Sequence, residues 1–183
     1  MERRRIVLLG ATGYTGQRVL RELLARGETP TLGGRNRTKM VALADRFEAN
    51  IPLAQVDITS TGDLARLLEP TDVVISTVGP FVRLGLATVT TAVQAGAHYF
   101  DSTGEGTFVR RVFELDSVAA ALGATIVPAF GYFLTRAGHG DALRYRSDLR
   151  DVVAVTTRGT RQTLVIAAAD DVFAYRRRHP QPS

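Results

Sequence analysis

The sequence contains no cysteine among its 183 residues, and it has only three histidines. Without thiols it can form no disulfide framework, thiolate zinc site or iron–sulfur cluster, and it has no thiol nucleophile. The histidines are scattered and lack the spacing of metal ligands, so no metal site is predicted. No stretch approaches the roughly 18 consecutive apolar residues of a membrane-spanning helix. We therefore expect a cytoplasmic protein without a transmembrane segment.

Basic residues are concentrated in the last third of the chain. Residues 1–132 hold 14 Lys+Arg against 13 Asp+Glu, and residues 133–183 hold 9 against 5, which together give the net charge of +5. Nucleic-acid binding would favour a basic face interleaved with aromatic residues, whereas this pattern is a near-neutral body with a basic, solvated tail. Nucleic acid is therefore not an expected partner.

Short apolar runs alternate with amphipathic segments along the first 130 residues. Continuous apolar runs such as residues 6–9 are typical of strands buried on both faces of a parallel sheet. The predicted strands are residues 6–9, 29–33, 51–58, 72–78, 98–102 and 124–129. The predicted helices are residues 14–26, 38–47, 61–68, 85–95 and 107–122. This alternation predicts an α/β fold, a Rossmann-type doubly wound parallel sheet with strand order 3-2-1-4-5-6.

The pattern weakens after residue 132. A helix is predicted over residues 141–149, and the apolar runs 152–157 and 163–169 are of uncertain type. These runs could open a second domain, but too few residues remain to complete a substantial one.

A glycine-rich turn, GATGYTG at residues 10–16, lies between the first strand and the first helix. Gly10 permits a tight exit from the strand, Gly13 lets a pyrophosphate approach the backbone, and Gly16 allows close packing of helix on strand. The amides and dipole at the helix start then face the phosphates, and Thr12 and Thr15 add hydroxyl donors. The alternative is a tight strand–helix turn without a ligand. A P-loop is excluded because no G-K-[ST] follows.

The segment after the second strand indicates which dinucleotide is bound. An NAD site has an acidic residue about 20 residues past the glycine motif, on the ribose 2′-hydroxyl. Here Arg35, Asn36 and the single lysine, Lys39, occupy that region, and the first acid is Asp45. A guanidinium favours a 2′-phosphate, so NADP(H) is predicted in preference to NAD(H). The alternative interpretation is a basic loop in solvent.

Five segments follow the predicted strands or include their ends: GATGYTG at residues 10–16, GRN at 34–36, VISTVGPF at 74–81, HYFDSTGE at 98–105 and VPAFGY at 127–132. Together these segments resemble the saccharopine dehydrogenase-like reductase family. The resemblance implies an NADP-binding Rossmann domain followed by a substrate domain, and hydride-transfer chemistry that includes trans-acting enoyl reductases. It also implies that Gly79 and Pro80 lie against the cofactor, and that Asp101, Gly104 and Glu105 shape the mouth of the site. After Tyr132 the chain departs from the family pattern. The resemblance therefore implies that residues 1–132 form an NAD(P)-binding Rossmann domain, and that residues 133–183 are a partly flexible, truncated C-terminal extension, the remnant of a substrate domain.

The predicted site residues divide into a cofactor set and weaker catalytic candidates. The predicted cofactor-binding residues are Gly10, Thr12, Gly13, Tyr14, Thr15, Gly16, Arg35, Asn36, Lys39, Asp57, Gly79 and Pro80. The Tyr-x-x-x-Lys pair of short-chain reductases is absent, because the single lysine is Lys39. Asp101 and Glu105 follow the fifth strand and are candidate acid/base groups, although Asp101 could instead brace the Gly104 turn. His98 is interpreted as a packed residue.

The sequence is compatible with two functions. The first is an NADP(H)-dependent oxidoreductase that transfers a hydride to or from a small carbonyl, imine or enoyl substrate. The alternative is a dinucleotide-binding module or regulatory subunit without chemistry. The expected partners are the dinucleotide and a small-molecule substrate, with a homodimer as a further option.

Overall fold

The computed structural model describes residues 4–130 and the two strands Val152–Thr156 and Thr163–Ala167. The strands of residues 4–130 are β1 Ile6–Leu9, β2 Thr31–Gly34, β3 Leu53–Gln55, β4 Val73–Ser76, β5 His98–Asp101 and β6 Ile126–Val127. The helices are α1 Tyr14–Ala25, α2 Arg37–Arg46, α3 Thr61–Leu67, α4 Phe81–Gln94, α5 Gly106–Phe113 and α6 Asp116–Ala121. Strands and helices alternate as the apolar pattern predicts.

The six strands form one parallel sheet in the order β3-β2-β1-β4-β5-β6. Leu8 of β1 pairs with Leu32 of β2 on one side and with Ile75 of β4 on the other. The chain therefore reverses its direction of winding between β1 and β4, which is where doubly wound sheets bind their ligands. The predicted fold class and strand order are confirmed.

Helices cover both faces of the sheet, and alternate residues of each strand enter different cores. Val7 and Leu9 belong to the core beneath α3, α4 and α5, whereas Leu8 belongs to the core beneath α1 and α2. All three side chains are fully buried. The continuous apolar runs follow from this arrangement, because neither face of a central strand contacts water.

Most elements differ from the predicted bounds by a few residues, and three of the differences have an identifiable physical reason. The helix predicted over residues 107–122 is two helices, α5 and α6, separated at Leu115, which packs against the core. The strand predicted over residues 51–58 is only the three residues of β3, which lies at the edge of the sheet after Pro52. α4 begins at Phe81, four residues before the predicted start at Gly85, because the Glu105 carboxylate accepts hydrogen bonds from the Phe81 and Val82 amides.

The two later strands, here β7 (Val152–Thr156) and β8 (Thr163–Ala167), form an antiparallel pair. Both apolar runs of uncertain type are therefore strands over these residues. The helix predicted over residues 141–149 lies outside the described residues. In the described part of the chain, none of the helices combines the length and apolar character needed to cross a membrane.

Candidate functional site

The glycine-rich turn folds back tightly between β1 and α1. Gly10 has φ of +84°, and its carbonyl oxygen accepts a hydrogen bond of 3.0 Å from the Gly13 amide. A Cβ added at Gly16 would lie 2.1 Å from that same carbonyl oxygen. Gly13 precedes α1 in an extended conformation, and none of the described side chains caps the helix. The first turn of α1 contains no acidic residue, so its amides and dipole favour an anion.

A cleft of about 840 Å³ lies beyond the carboxyl ends of β1, β2 and β3. Its lining is formed by residues 10–12, 33–40, 55–56, 58 and 78. Three cationic side chains line it, those of Arg35, Arg37 and Lys39, and no carboxylate does so among the residues described. The cleft is therefore suited to a ligand with concentrated negative charge.

The start of α2 forms the cationic wall of this cleft. Asn36 Oδ1 accepts a hydrogen bond of 2.9 Å from the Lys39 amide and so caps the helix. Gln55 Nε2 donates to the Arg35 carbonyl oxygen at 3.4 Å. The prediction from sequence omitted Arg37 and Gln55. Arg37 could have been found from its place in the same polar run, whereas Gln55 reaches the cleft only through the pairing of β3 with β2.

Five predicted cofactor residues line the cleft together: Gly10, Thr12, Arg35, Asn36 and Lys39. The other seven lie outside its lining: Gly13, Tyr14, Thr15, Gly16, Asp57, Gly79 and Pro80. Gly79 and Pro80 follow β4, which pairs with β1 on the side opposite β2. They come directly after Val78, which lines the cleft, and are joined by a cis peptide bond. A dinucleotide that spans the crossover between β1 and β4 would reach both regions.

Two of these outlying residues have contacts of their own. Tyr14 is 68% exposed, and Arg18 both stacks over its ring at 4.3 Å and donates a hydrogen bond to its hydroxyl. Asp57 is half-buried and accepts hydrogen bonds from the Thr59 amide and hydroxyl. These two bonds, together with the charge of Arg35, hold the pKa of Asp57 below its usual value.

Asp101 is buried at the carboxyl end of β5 and connects two loops. Its Oδ1 accepts hydrogen bonds from the Thr103 amide at 2.9 Å and the Ala129 amide at 2.8 Å. Its Oδ2 has no hydrogen-bond partner among the described residues. Burial raises the pKa of Asp101 to about 6. The carboxyl group therefore braces the loop after β5 and the turn after β6, the latter at a residue, Ala129, with φ of +57°.

We expect Asp101→Asn to remove a pH dependence of stability. The pKa rises from 3.8 to about 6 on folding, so the folded protein binds this proton more tightly than the unfolded chain does. The resulting stabilisation of the folded state is complete below pH 4 and is lost as pH rises through 6. Asparagine retains an oxygen acceptor for both amides and carries no charge, so the variant should gain up to about 3 kcal/mol at pH 7.5. Urea unfolding from pH 4 to 8 measures this. The exposed control Asp45→Asn should keep the wild-type profile, and a variant profile that still falls between pH 4 and 6 would contradict the prediction.

Glu105 caps the helix that follows the neighbouring strand. Its Oε1 accepts a hydrogen bond of 2.8 Å from the Phe81 amide, and its Oε2 accepts one of 2.8 Å from the Val82 amide. The carboxylate thus occupies the positive end of α4 and links the loops after β4 and β5. Both catalytic candidates, Asp101 and Glu105, are bonded to backbone amides, and neither lines the cleft over β1 to β3.

His98 is buried at the start of β5, and its Nδ1 accepts a hydrogen bond of 3.1 Å from the Thr125 amide. Arg4 lies 3.1 Å from its Nε2. Both ring nitrogens therefore have close neighbours, as expected for a packed histidine. Over the described ranges, no group of three or more metal-ligating side chains is assembled.

A doubly wound parallel sheet, an uncapped helix start after a glycine turn and a cationic cleft define a Rossmann-type dinucleotide-binding domain. The sequence profile of the family described as the saccharopine dehydrogenase NADP-binding domain matches residues 6–127. The chain belongs to this family. The predicted membership of the saccharopine dehydrogenase-like family and the predicted preference for NADP(H) over NAD(H) are thereby confirmed.

Curated relatives and solved structures agree with this membership. The chain is 35% identical over 133 residues to trans-acting enoyl reductases of Mycobacterium ulcerans and Mycobacterium tuberculosis. Each alignment covers 69% of this chain and 32% of the relative, so the matched part spans about a third of their length.

Two solved structures share the fold. Saccharopine dehydrogenase (L-Glu forming) of Saccharomyces cerevisiae superposes with a TM-score of 0.62 at 22% identity, over 82% of this chain and 34% of that one. Triphenylmethane reductase of a Citrobacter species, complexed with NADP(H), gives 0.52 at 17% identity, over 78% and 55%.

Proposed function

We propose that the chain binds NADP(H) in the cleft over β1 to β3 and takes part in hydride transfer to or from a small carbonyl, imine or enoyl substrate. The observation that carries the proposal is the cationic wall of Arg35, Arg37 and Lys39 at the end of β2, with no carboxylate in the described lining. The enoyl option is supported by the names of the curated relatives.

The residues present fit the dinucleotide. The uncapped amides at the start of α1 would receive the pyrophosphate, and a Cβ added at Gly13 would contact only the Gly10 carbonyl oxygen, at 3.4 Å. Arg35 and its neighbours would receive the 2′-phosphate. We assign Gly79 and Pro80, which follow β4, to the nicotinamide half. Residues 1–132 would then form the complete dinucleotide-binding domain.

The chain's own residues bind and orient the cofactor in this proposal. When bound, NADPH supplies the hydride, because that chemistry belongs to the nicotinamide. Glu105 fixes the start of α4 and thereby the loop that holds Gly79 and Pro80. Asp101 fixes the loops after β5 and β6. Both acids would therefore act as positioning residues at the mouth of the site.

A dinucleotide-binding module without chemistry is the second candidate. It is favoured by one observation, namely that both candidate acid/base groups are bonded to backbone amides. The two functions differ in turnover. An oxidoreductase oxidises NADPH in the presence of an enoyl thioester, a ketone or an imine. A module without chemistry binds NADPH with the same affinity but does not oxidise it with any of these substrates.

Arg35→Ala tests the cofactor assignment. Loss of the charge-assisted hydrogen bonds to the 2′-phosphate should weaken NADPH binding by about 1.5–3 kcal/mol, roughly 10- to 150-fold, with little change for NADH. Titration of both cofactors, followed by their fluorescence, measures this. Arg46→Ala, at the far end of α2, is a matched control with the same change of charge. Equal affinity of the wild-type protein for NADPH and NADH would overturn the proposal.

A further inference from the structure

Asp57 lies between Val56 and Ile58, two residues that line the cleft whose cationic wall is formed by Arg35, Arg37 and Lys39. Its carboxylate is held within its own turn, where Oδ1 accepts hydrogen bonds from the Thr59 amide at 2.9 Å and the Thr59 hydroxyl at 2.8 Å. Asp57 and Arg35 form no ion pair in the described part of the chain, although the positive charge of Arg35 acts on the carboxylate. The position of Asp57 is therefore set by its turn and not by Arg35.

Arg35 is likewise positioned without help from Asp57. Its carbonyl oxygen accepts a hydrogen bond from Gln55, and the Val56 amide donates to the Gly34 carbonyl oxygen at 3.0 Å. These backbone links fix the loop after β2 against the end of β3. Removing the Asp57 charge would therefore leave the loop that presents Arg35 in place.

We propose that Asp57 is a specificity-determining residue that limits the preference for NADP(H) by repelling the 2′-phosphate, and is not a ligand of that group. This inference rests on the proposed function of the cleft. A phosphate monoester carries between one and two negative charges at neutral pH, and NADH has no charge at that position. The repulsion therefore acts on NADP(H) and not on NAD(H).

The size of the effect follows from Coulomb's law. At a separation of about 8 Å in water, a carboxylate and a nearly divalent phosphate repel each other enough to change an affinity about three- to fivefold, and a longer separation gives a smaller change. Screening by salt reduces this change, because the Debye length falls from about 30 Å at 0.01 M to about 3 Å at 1 M ionic strength. An effect that fades with salt therefore separates electrostatic repulsion from an altered loop.

Asp57→Asn tests the inference, because asparagine keeps an oxygen acceptor for Thr59 and loses only the charge. The measured quantity is the ratio of the Kd for NADH to the Kd for NADPH. Any effect of the substitution on contacts with the adenosine, which both cofactors share, cancels in this ratio. We expect the ratio to rise about three- to fivefold at low salt and the gain to shrink at high salt. Asp57→Ser, which removes the same charge with a different side chain, should shift the ratio in the same direction.

Asp45→Asn is the matched control for charge. Asp45 is exposed near the end of α2, about 12 Å along the helix from Arg37, so this variant should raise the ratio less than Asp57→Asn does. A ratio that stays constant or falls in both Asp57 variants overturns the inference while the wild-type preference for NADPH stands. Equal affinities in the wild-type protein would instead overturn the proposed function itself.

Discussion

Replacing Gly16 with alanine is expected to destabilise the domain by at least about 3 kcal/mol, the upper end of the usual cost of overpacking a core. The new Cβ would lie 2.1 Å from the Gly10 carbonyl oxygen and 2.7 Å from the Ala11 Cα. Both are backbone atoms, so no side-chain rotation relieves the contact. Helix α1 would have to move away from β1, and its amides would leave the glycine turn.

A second glycine-to-alanine change provides the control for this prediction. Gly62 lies in the first turn of α3, where an added Cβ would have only side-chain atoms near it, the closest being Arg66 Nη1 at 3.6 Å. Gly62→Ala should stabilise the protein by up to about 1 kcal/mol through helix propensity. Urea unfolding compares the two variants. If Gly16→Ala were as stable as the wild type, the tight packing of α1 on the turn would be refuted.

The sheet could be predicted from sequence because its central strands are buried on both faces. Residues 6–9 and 73–76 are apolar or small at nearly every position, and each run is followed by a turn and an amphipathic helix. Pro52 is compatible only with an edge strand or a strand start, since proline donates no hydrogen bond to a neighbouring strand, and β3 begins directly after it at the edge of the sheet. These signals are local, and the handedness of β-α-β crossovers restricts the order in which such strands assemble.

Boundaries that depend on distant contacts could not be predicted. The start of α4 at Phe81 is stabilised by Glu105, 24 residues further along the chain. The break between α5 and α6 depends on Leu115 packing into the core, which helical periodicity does not reveal. In both cases the deciding partner is identified only once the strands are in register.

The candidate site likewise contains residues that the sequence predicts and residues that only the fold brings to it. Arg35, Asn36 and Lys39 are contiguous with the end of β2, and the sequence suffices to place them together. Gln55 reaches the cleft because Gly34 pairs with it across the sheet. The contacts of Asp101 with the amides of Thr103 and Ala129 also required the fold, because β6 had to be set beside β5.

At the opposite, amino-terminal end of the strands, a buried carboxylate is paired with a partly exposed guanidinium. Arg5 Nε donates to Asp72 Oδ1 at 3.0 Å, and Arg5 Nη2 donates to Asp72 Oδ2 at 2.6 Å. The Asp72 side chain is only 4% exposed, whereas that of Arg5 is 37% exposed. Arg5 Nη2 also donates to the Leu67 carbonyl oxygen, so one guanidinium joins the starts of β1 and β4 to the end of α3.

Arg5→Ala is therefore expected to cost about 3–5 kcal/mol, since removal of one partner leaves a buried carboxylate without its counter-charge. Asp72 would retain only the hydrogen bond from the Glu69 amide among the contacts described. Because Arg5 is partly solvated, we expect a value near the lower end. The free energy of unfolding in urea measures this change.

Two further variants identify the cause of the stability lost in Arg5→Ala. Arg66→Ala breaks an exposed ion pair with Asp63 and should cost no more than about 0.5 kcal/mol. The double variant Arg5→Met, Asp72→Leu removes both charges from the same site and should recover most of the lost stability, because no buried charge remains unpaired. If Arg5→Ala were as mild as Arg66→Ala, Asp72 would have to be solvated. If the double variant were no more stable than Arg5→Ala, the loss would come from the Leu67 contact and not from the stranded carboxylate.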